Sequence, residues 1–187
     1  MDRRVFLQRG AAALSVPTAL TLSANASASE STDVQLAFSP HGGGEALVLR
    51  TIASARRSIC LLGYSFTSPT VVHVLLEAKK SRNVDVAVTV DYRNNLEEDR
   101  SGKARAALNA LVYAGIPVRT VSVFPDQHSK FCVVDGVTVQ TGSYNYSRQA
   151  VYNSENVLVL VGRPDLAAAY LENWKEVTAL GEDYRTE

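Results

Sequence analysis

Apolar and polar positions along the chain change period several times, and those changes mark out its elements. Residues 34–38 (VQLAF) have the length and apolar content of a short strand. After Gly42-Gly43-Gly44, apolar residues at three- to four-residue spacing predict a helix over about 44–56, with Leu49, Ile52 and Ala53 on its inner side. Residues 58–64 read as a buried strand. Ser68-Pro69 supplies an N-cap and a first-turn proline for a helix running to about Arg82. A strand over 85–90 follows, then a polar stretch at 92–103 (YRNNLEEDRSGK) that reads as a mobile surface loop. A helix ends at Gly115 and leads into a strand at 117–122.

From residue 127 the pattern changes. Residues 127–134 and 137–141 read as strands joined by Asp135-Gly136, the composition of a two-residue hairpin turn. A strand over 156–161 and a helix opened by Pro164 complete the chain. Leu166, Tyr170, Trp174 and Val177 share one face of that helix, so Trp174 is expected to pack in the core. Alternation of strands and helices followed by hairpins predicts an α/β fold: one domain, a mixed β-sheet sandwiched by helices.

The hairpin carries the chemistry. In the run His128 to Ser147 (HSKFCVVDGVTVQTGSYNYS), a two-residue turn sets Val134 opposite Val137, Lys130 opposite Thr141 and His128 opposite Ser143. His128 and Lys130, two residues apart, share a face at roughly 7 Å, and Asn145 follows as the chain leaves the hairpin. Histidine is the side chain best suited to act as nucleophile or general acid near neutral pH. Lys130 offers a point charge for phosphoryl oxygens, and Ser143 and Asn145 offer donors for charge developing on them. Glu155 is a candidate to orient the His128 ring. Any one of these residues is ordinary at a strand end; the complete spacing is what distinguishes the run.

That spacing resembles the phospholipase D superfamily, whose motif is His-x-Lys, four residues, Asp, six residues, Gly-Ser-x-Asn. His128, Lys130, Asp135, Gly142, Ser143 and Asn145 fit it without a gap, and LGYSFTSP at 62–69, GIPVRT at 115–120 and NSEN at 153–156 extend the likeness. Within that superfamily the chain resembles the small homodimeric bacterial endonucleases that carry one motif per chain. The resemblance implies a phospholipase D/nuclease-like fold and a two-step phosphodiester hydrolysis needing neither metal nor cofactor. One His128 would form a phosphohistidine, and the second subunit's copy of that histidine would protonate the leaving group. Lys130 and Asn145 would bind the phosphate, Glu155 would support His128, and Asp135 and Gly142 would be structural. The single motif copy implies a homodimer with a composite site.

The remaining features adjust this picture. Arg3-Arg4-Val5-Phe6-Leu7, a modest apolar stretch and Ala-x-Ala pairs near 24–28 predict a twin-arginine export signal over 1–28, a phosphodiesterase domain over 29–187, and a periplasmic or extracellular address. No later segment reads as transmembrane. Removing Arg3, Arg4, Arg9 and Asp2 with the leader leaves 16 basic and 18 acidic side chains. Contact with nucleic acid must then come from local clusters such as Arg93 or Arg148, while Arg56-Arg57 and Lys79-Lys80-Arg82 read as solvated helix ends. Cys60 and Cys132 read as buried free thiols rather than a bridge. Gly42–Gly44 lacks the Gly-Lys-Ser/Thr ending of a phosphate loop, and His41 and His73 form no metal-ligand spacing. Three functions compete: a nonspecific DNA or RNA endonuclease, a phospholipase D-type lipid hydrolase, and a noncatalytic phosphate- or nucleic-acid-binding module. The lack of a hydrophobic docking helix favours nucleic acid.

Overall fold

Parallel β–α–β winding builds one half of a sheet and antiparallel hairpins build the other. The computed structural model describes residues 33–186; the expected export signal at 1–28 lies outside them. In chain order the elements are β1 (Asp33–Ser39), α1 (Gly44–Ala53), β2 (Ser58–Gly63), α2 (Pro69–Arg82), β3 (Asp85–Asp91), a π-helix (Arg93–Glu98), α3 (Lys103–Tyr113) and β4 (Val118–Val121). Then come β5 (Phe131–Val134), β6 (Thr138–Gly142), a 3-10 turn (Arg148–Val151), β7 (Glu155–Val161), α4 (Pro164–Ala179) and β8 (Glu182–Asp183). The eight strands form one sheet in the order β1-β7-β6-β5-β2-β3-β4-β8. β2, β3 and β4 are mutually parallel, and every other pairing is antiparallel. The mixed sheet with helices on both faces is the expected architecture.

The main core lies between the sheet and α1–α3, around Leu47, Val48, Ile52, Leu61, Leu75, Val88, Leu108 and Leu111. A smaller cluster of Leu62, Phe131, Val133, Val139 and Ala167 lies under α4, against which Tyr170 and Trp174 are partly buried. The Trp174 indole N–H donates to the Leu61 carbonyl (3.1 Å), so the ring is tied to the sheet as expected of a packing residue. Ser68 caps α2 through Val71 N–H, with Pro69 in the first turn. Cys60 lies opposite Val133, and Cys132 opposite Leu61. Neighbouring positions on paired strands face opposite ways, which explains why both thiols are free. Among the described residues no helix is long and apolar enough to cross a membrane.

Several expectations need correction. Strand β5 begins at Phe131, not 127, and α1 stops at Ala53. The inner side of α1 is Leu47, Val48, Thr51 and Ile52, with Leu49 half-buried against the core, and of the expected positions only Ala53 is exposed. Asp135 and Gly136 both take left-handed φ (55° and 70°), and Val137 N–H bonds to the Val134 carbonyl (3.1 Å), as in a primed turn. Pairing nevertheless resumes one residue late, with Val134 opposite Thr138 and Phe131 opposite Thr141. The extra residue is Val137, whose carbonyl instead accepts from Arg163 N–H (2.8 Å). Lys130 is therefore not opposite Thr141, nor His128 opposite Ser143. The stretch 92–103 is not a plain loop: the π-helix holds Asn95 at 1% exposure. Its side chain accepts from Phe66 N–H (2.8 Å) and donates to the carbonyls of Tyr64 (2.6 Å) and Asp91 (2.7 Å).

Candidate active site

The ends of β2, β3, β6 and β1 and the starts of β5 and β7 meet at one edge of the sheet, where backbone groups leave their ladders. The segment before β5 is fixed there by two buried polar side chains. Asp91, 1% exposed at the end of β3, accepts from the N–H groups of Asn94 (2.6 Å) and Gln127 (2.8 Å). The Gln127 amide, 4% exposed, donates to the Gly63 carbonyl (3.0 Å) and accepts from Ser129 N–H (3.2 Å) in the orientation that satisfies both neighbours. His128 is thus held between two anchored residues, while its own ring is exposed.

The imidazole rests against Tyr64, with ring centroids 4.5 Å apart and planes at 60°. Lys130 lies on the same tyrosine, its Nζ 4.9 Å from the ring centroid, and donates to the His128 carbonyl (2.6 Å). It is only 6% exposed. Burial pulls its pKa down to about 8, against the opposing charges of Glu155 and Asp126, which raise it. One of its three donors is committed to His128; the others remain for an anion. Asn145 accepts from Ser65 N–H (3.4 Å) through Oδ1, which fixes the amide and leaves its NH2 group to donate.

Ser143 and Glu155 do something other than expected. The Ser143 hydroxyl donates to Glu155 Oε2 (2.5 Å) and accepts from Asn156 N–H (3.1 Å). The second carboxylate oxygen accepts from Asn153 Nδ2 (3.1 Å). Glu155 therefore bonds to Ser143 and Asn153 rather than to the His128 ring. Ser143 has spent its one O–H on Glu155 and has none for a phosphate while that bond stands. Gly142 lets this corner form: its φ is 139°, and a Cβ there would lie 2.2 Å from the Asn156 carbonyl oxygen.

Asp135 lies at the far end of the hairpin. Its carboxylate accepts from the backbone N–H groups of Arg56 (3.0 and 3.2 Å), Arg57 (2.7 Å) and Ser58 (2.9 Å). Burial alone would raise its pKa; those N–H groups and the Arg57 charge outweigh burial and hold it below the usual carboxylate value. Arg57 also donates to the Asp135 carbonyl (2.9 Å), and Arg82 to the carbonyls of Ala53 and Ala55. These two arginines are fastenings rather than merely solvated helix ends. Tyr64, Asp91, Asn95 and Gln127 escaped sequence reasoning. The one usable signal was Tyr64, inside the LGYSFTSP segment. Among the described residues no three His, Cys, Asp or Glu side chains gather as metal ligands would.

An exposed imidazole, a desolvated ammonium and a fixed amide at one sheet edge are a set that can bind and attack a phosphodiester. Comparison with known proteins agrees. Residues 48–177 match the family described as cardiolipin synthase, PLD-like domain. The chain is 32% identical to the phospholipase D of Rickettsia bellii over 142 residues, covering 75% of this chain and 67% of that one. It is 31% identical to the mitochondrial cardiolipin hydrolase of Xenopus laevis over 137 residues, 73% of this chain and 60% of that one. Among solved structures, the phospholipase D family member Nuc from Salmonella typhimurium superposes with a TM-score of 0.79 at 43% identity, covering 83% of this chain and all of that one. NucT from Helicobacter pylori shares the fold, with a TM-score of 0.68 at 18% identity over 82% of this chain and 100% of that one. The chain belongs to the phospholipase D-like family. It is a phosphodiesterase, which sets aside the noncatalytic binding module.

Proposed function

We propose that the protein is a metal-independent phosphodiester hydrolase working through a phosphohistidine, and that its substrate is nucleic acid cleaved internally without strong sequence preference. The observation that carries the mechanism is the exposed His128 ring anchored beside the desolvated Lys130. A ring nitrogen of His128 attacks phosphorus, forming the N–P bond as the bond to the leaving oxygen breaks. The leaving oxygen takes a proton from a second imidazole. The His-x-Lys motif occurs once in the chain, so the second copy's His128 fills that role in a homodimer with a composite site. It then accepts a proton from the water that cleaves the N–P bond. Lys130 and Asn145 hold the non-bridging oxygens, and Ser143 acts by holding Glu155 close enough to keep Lys130 charged. We also propose export by the residue 1–28 signal.

Likeness to the small single-motif endonucleases supports nucleic acid. The names of the curated relatives favour the second reading, phospholipid hydrolysis. Supercoiled plasmid and phosphatidylcholine vesicles, each incubated with the protein in EDTA, separate the two. Nicking of plasmid by the wild type and not by His128→Ala is expected. Hydrolysis of vesicles alone would reverse the substrate, and loss of all turnover in EDTA would overturn the mechanism.

A further inference from the structure

The space between α2 and α3 takes no part in the chemistry described above. α2 joins β2 to β3, and α3 joins β3 to β4. Those strands are parallel, so the two helices run in the same direction and begin at the same end of the sheet. Between them is an open cleft of about 400 Å³, within the range of about 300–1,000 Å³ typical of small-molecule sites. Val72 and Leu76 of α2 line one side, and Ala106, Ala107 and Ala110 of α3 line the other. Three alanines leave the space that larger side chains would fill.

The two ends of the cleft differ. Lys103 and Arg148 line it where the helices begin, beside Pro69. Leu76 and Ala110 lie seven residues beyond Pro69 and Lys103, about 10 Å of helix at 1.5 Å per residue. One end is therefore cationic, and an apolar trough leads away from it. No Asp or Glu is among the lining residues. The nearby carboxylates are engaged elsewhere. Asp99 interacts with Lys103 but accepts from Ala104 N–H (2.7 Å) at the start of α3. Glu77 is paired with His73 at the rim (3.8 Å), and Glu45, in the adjoining groove, accepts from the Thr70 hydroxyl (2.7 Å). Arg148 is exposed, and its guanidinium has no hydrogen bond or ion pair among the described residues. A small anion has no use for the trough, and a purely apolar ligand has no use for the cations. A cationic mouth on an apolar trough suits a ligand that is both.

We propose that this cleft binds a single alkyl chain ending in an anionic head. The head sits on Arg148 and Lys103, and the chain lies between α2 and α3 against Val72, Leu76 and Ala110. Neither His128 nor Lys130 lines the cleft, so the site is separate from that of the diester. A carboxylate head, as in a fatty acid, and a phosphate head, as in a lysophospholipid, share this chemistry.

The test is isothermal titration calorimetry of the full chain with decyl phosphate, decanoate and decyl maltoside, each below its micelle concentration. At least one of the two anions should bind at a single site, and the tighter one identifies the head group. The uncharged maltoside should bind at least tenfold more weakly. Shortening the better ligand by two carbons should weaken it at least fourfold, because each methylene contributes about fourfold when fully buried and the open trough buries each in part. Lys103→Glu/Arg148→Glu should lose at least tenfold for the anions and leave the maltoside unchanged. Ala106→Glu, at an exposed position, should lose all three ligands, and near wild-type circular dichroism checks that both variants fold. Failure of the wild type to bind either anion, equal affinity for the maltoside, or binding that survives both variants overturns the site. Displacement of the bound anion by bis-p-nitrophenyl phosphate would make the cleft part of the substrate site. Displacement by a short DNA oligonucleotide would make the two cations a path for nucleic acid. Either result also overturns the proposal.

Discussion

Replacing Asp135 should remove stability without removing chemistry, although it stands in the same motif as His128 and Lys130. Its carboxylate gathers three successive backbone N–H groups where the chain turns into β2. Hydrogen bonds to a charged group contribute about 1.5–3 kcal/mol each. The Arg56 and Arg57 bonds are exposed and water can replace them, so only the Ser58 bond warrants that range and the others about 0.5 kcal/mol apiece. Alanine also bears a left-handed φ worth about 1 kcal/mol. Asp135→Ala should therefore lose about 3.5–5 kcal/mol, a fall in Tm on the order of 10 °C for a domain of this size. Asp135→Asn tolerates the left-handed backbone and keeps one acceptor oxygen, so about 1–2 kcal/mol is expected. Because the folded-state pKa is depressed, the carboxylate's contribution is present above the unfolded value near 4 and is lost as pH falls through the folded one. The gap between wild type and Asp135→Asn should narrow under acid. Urea unfolding across pH 3–7 measures this, with turnover of bis-p-nitrophenyl phosphate measured well below the transition. An Asp135→Asn protein of unchanged stability and 100-fold lower kcat would refute the assignment.

Three other expectations follow from the same geometry. Gly142→Ala sets a Cβ against the Asn156 carbonyl at φ 139°; thermal unfolding should show a loss of about 3 kcal/mol or more, and a wild-type Tm would contradict the close approach. Lys130, with a pKa of about 8 against an ordinary 10.5, carries a burial cost that is fully present below pH 8 and relieved as pH rises to 10.5, where the unfolded chain binds the extra proton. Wild-type stability should thus rise across that window relative to Lys130→Met, while wild-type kcat/KM falls above about pH 8. Below pH 8, Lys130→Met should be the more stable protein by up to about 3 kcal/mol, yet inactive; a less stable variant by urea titration would count against a strained ammonium. Asn95→Ala removes three buried bonds and should lose about 2–4 kcal/mol by the same assay, with a lower kcat because Tyr64 loosens; unchanged values for both would show the π-helix to be incidental.

What the sequence disclosed, and what it concealed, divides along a physical line. Elements set by apolar period and by caps were legible: α2 from Ser68-Pro69, the buried β2 and β3, and the mixed sheet itself. The candidate set could be picked out because its residues lie within eighteen positions of one another, from His128 to Asn145. The failures are polar groups whose partners are distant in sequence. Nothing near Asn95 announces bonds to Tyr64 and Phe66 some thirty residues back, so a polar stretch passed for a surface loop. Nothing local shows that Val137 would give its carbonyl to Arg163, and that one bond moves the register of the hairpin by a residue. Ser143 and Glu155 were assigned from residue type, yet each satisfies the other first. A side chain's type sets what it can donate or accept; which partner takes it depends on backbone that arrives from elsewhere. The same reasoning explains why Lys130 is buried against Tyr64 rather than extended into solvent. Its ammonium is kept desolvated, an effect that Glu155 and Asp126 only partly offset, so in the mechanism proposed above a phosphate would supply the missing counter-charge. On that proposal, the stability given up by burying the charge in the free protein would become affinity for an anion within reach of His128.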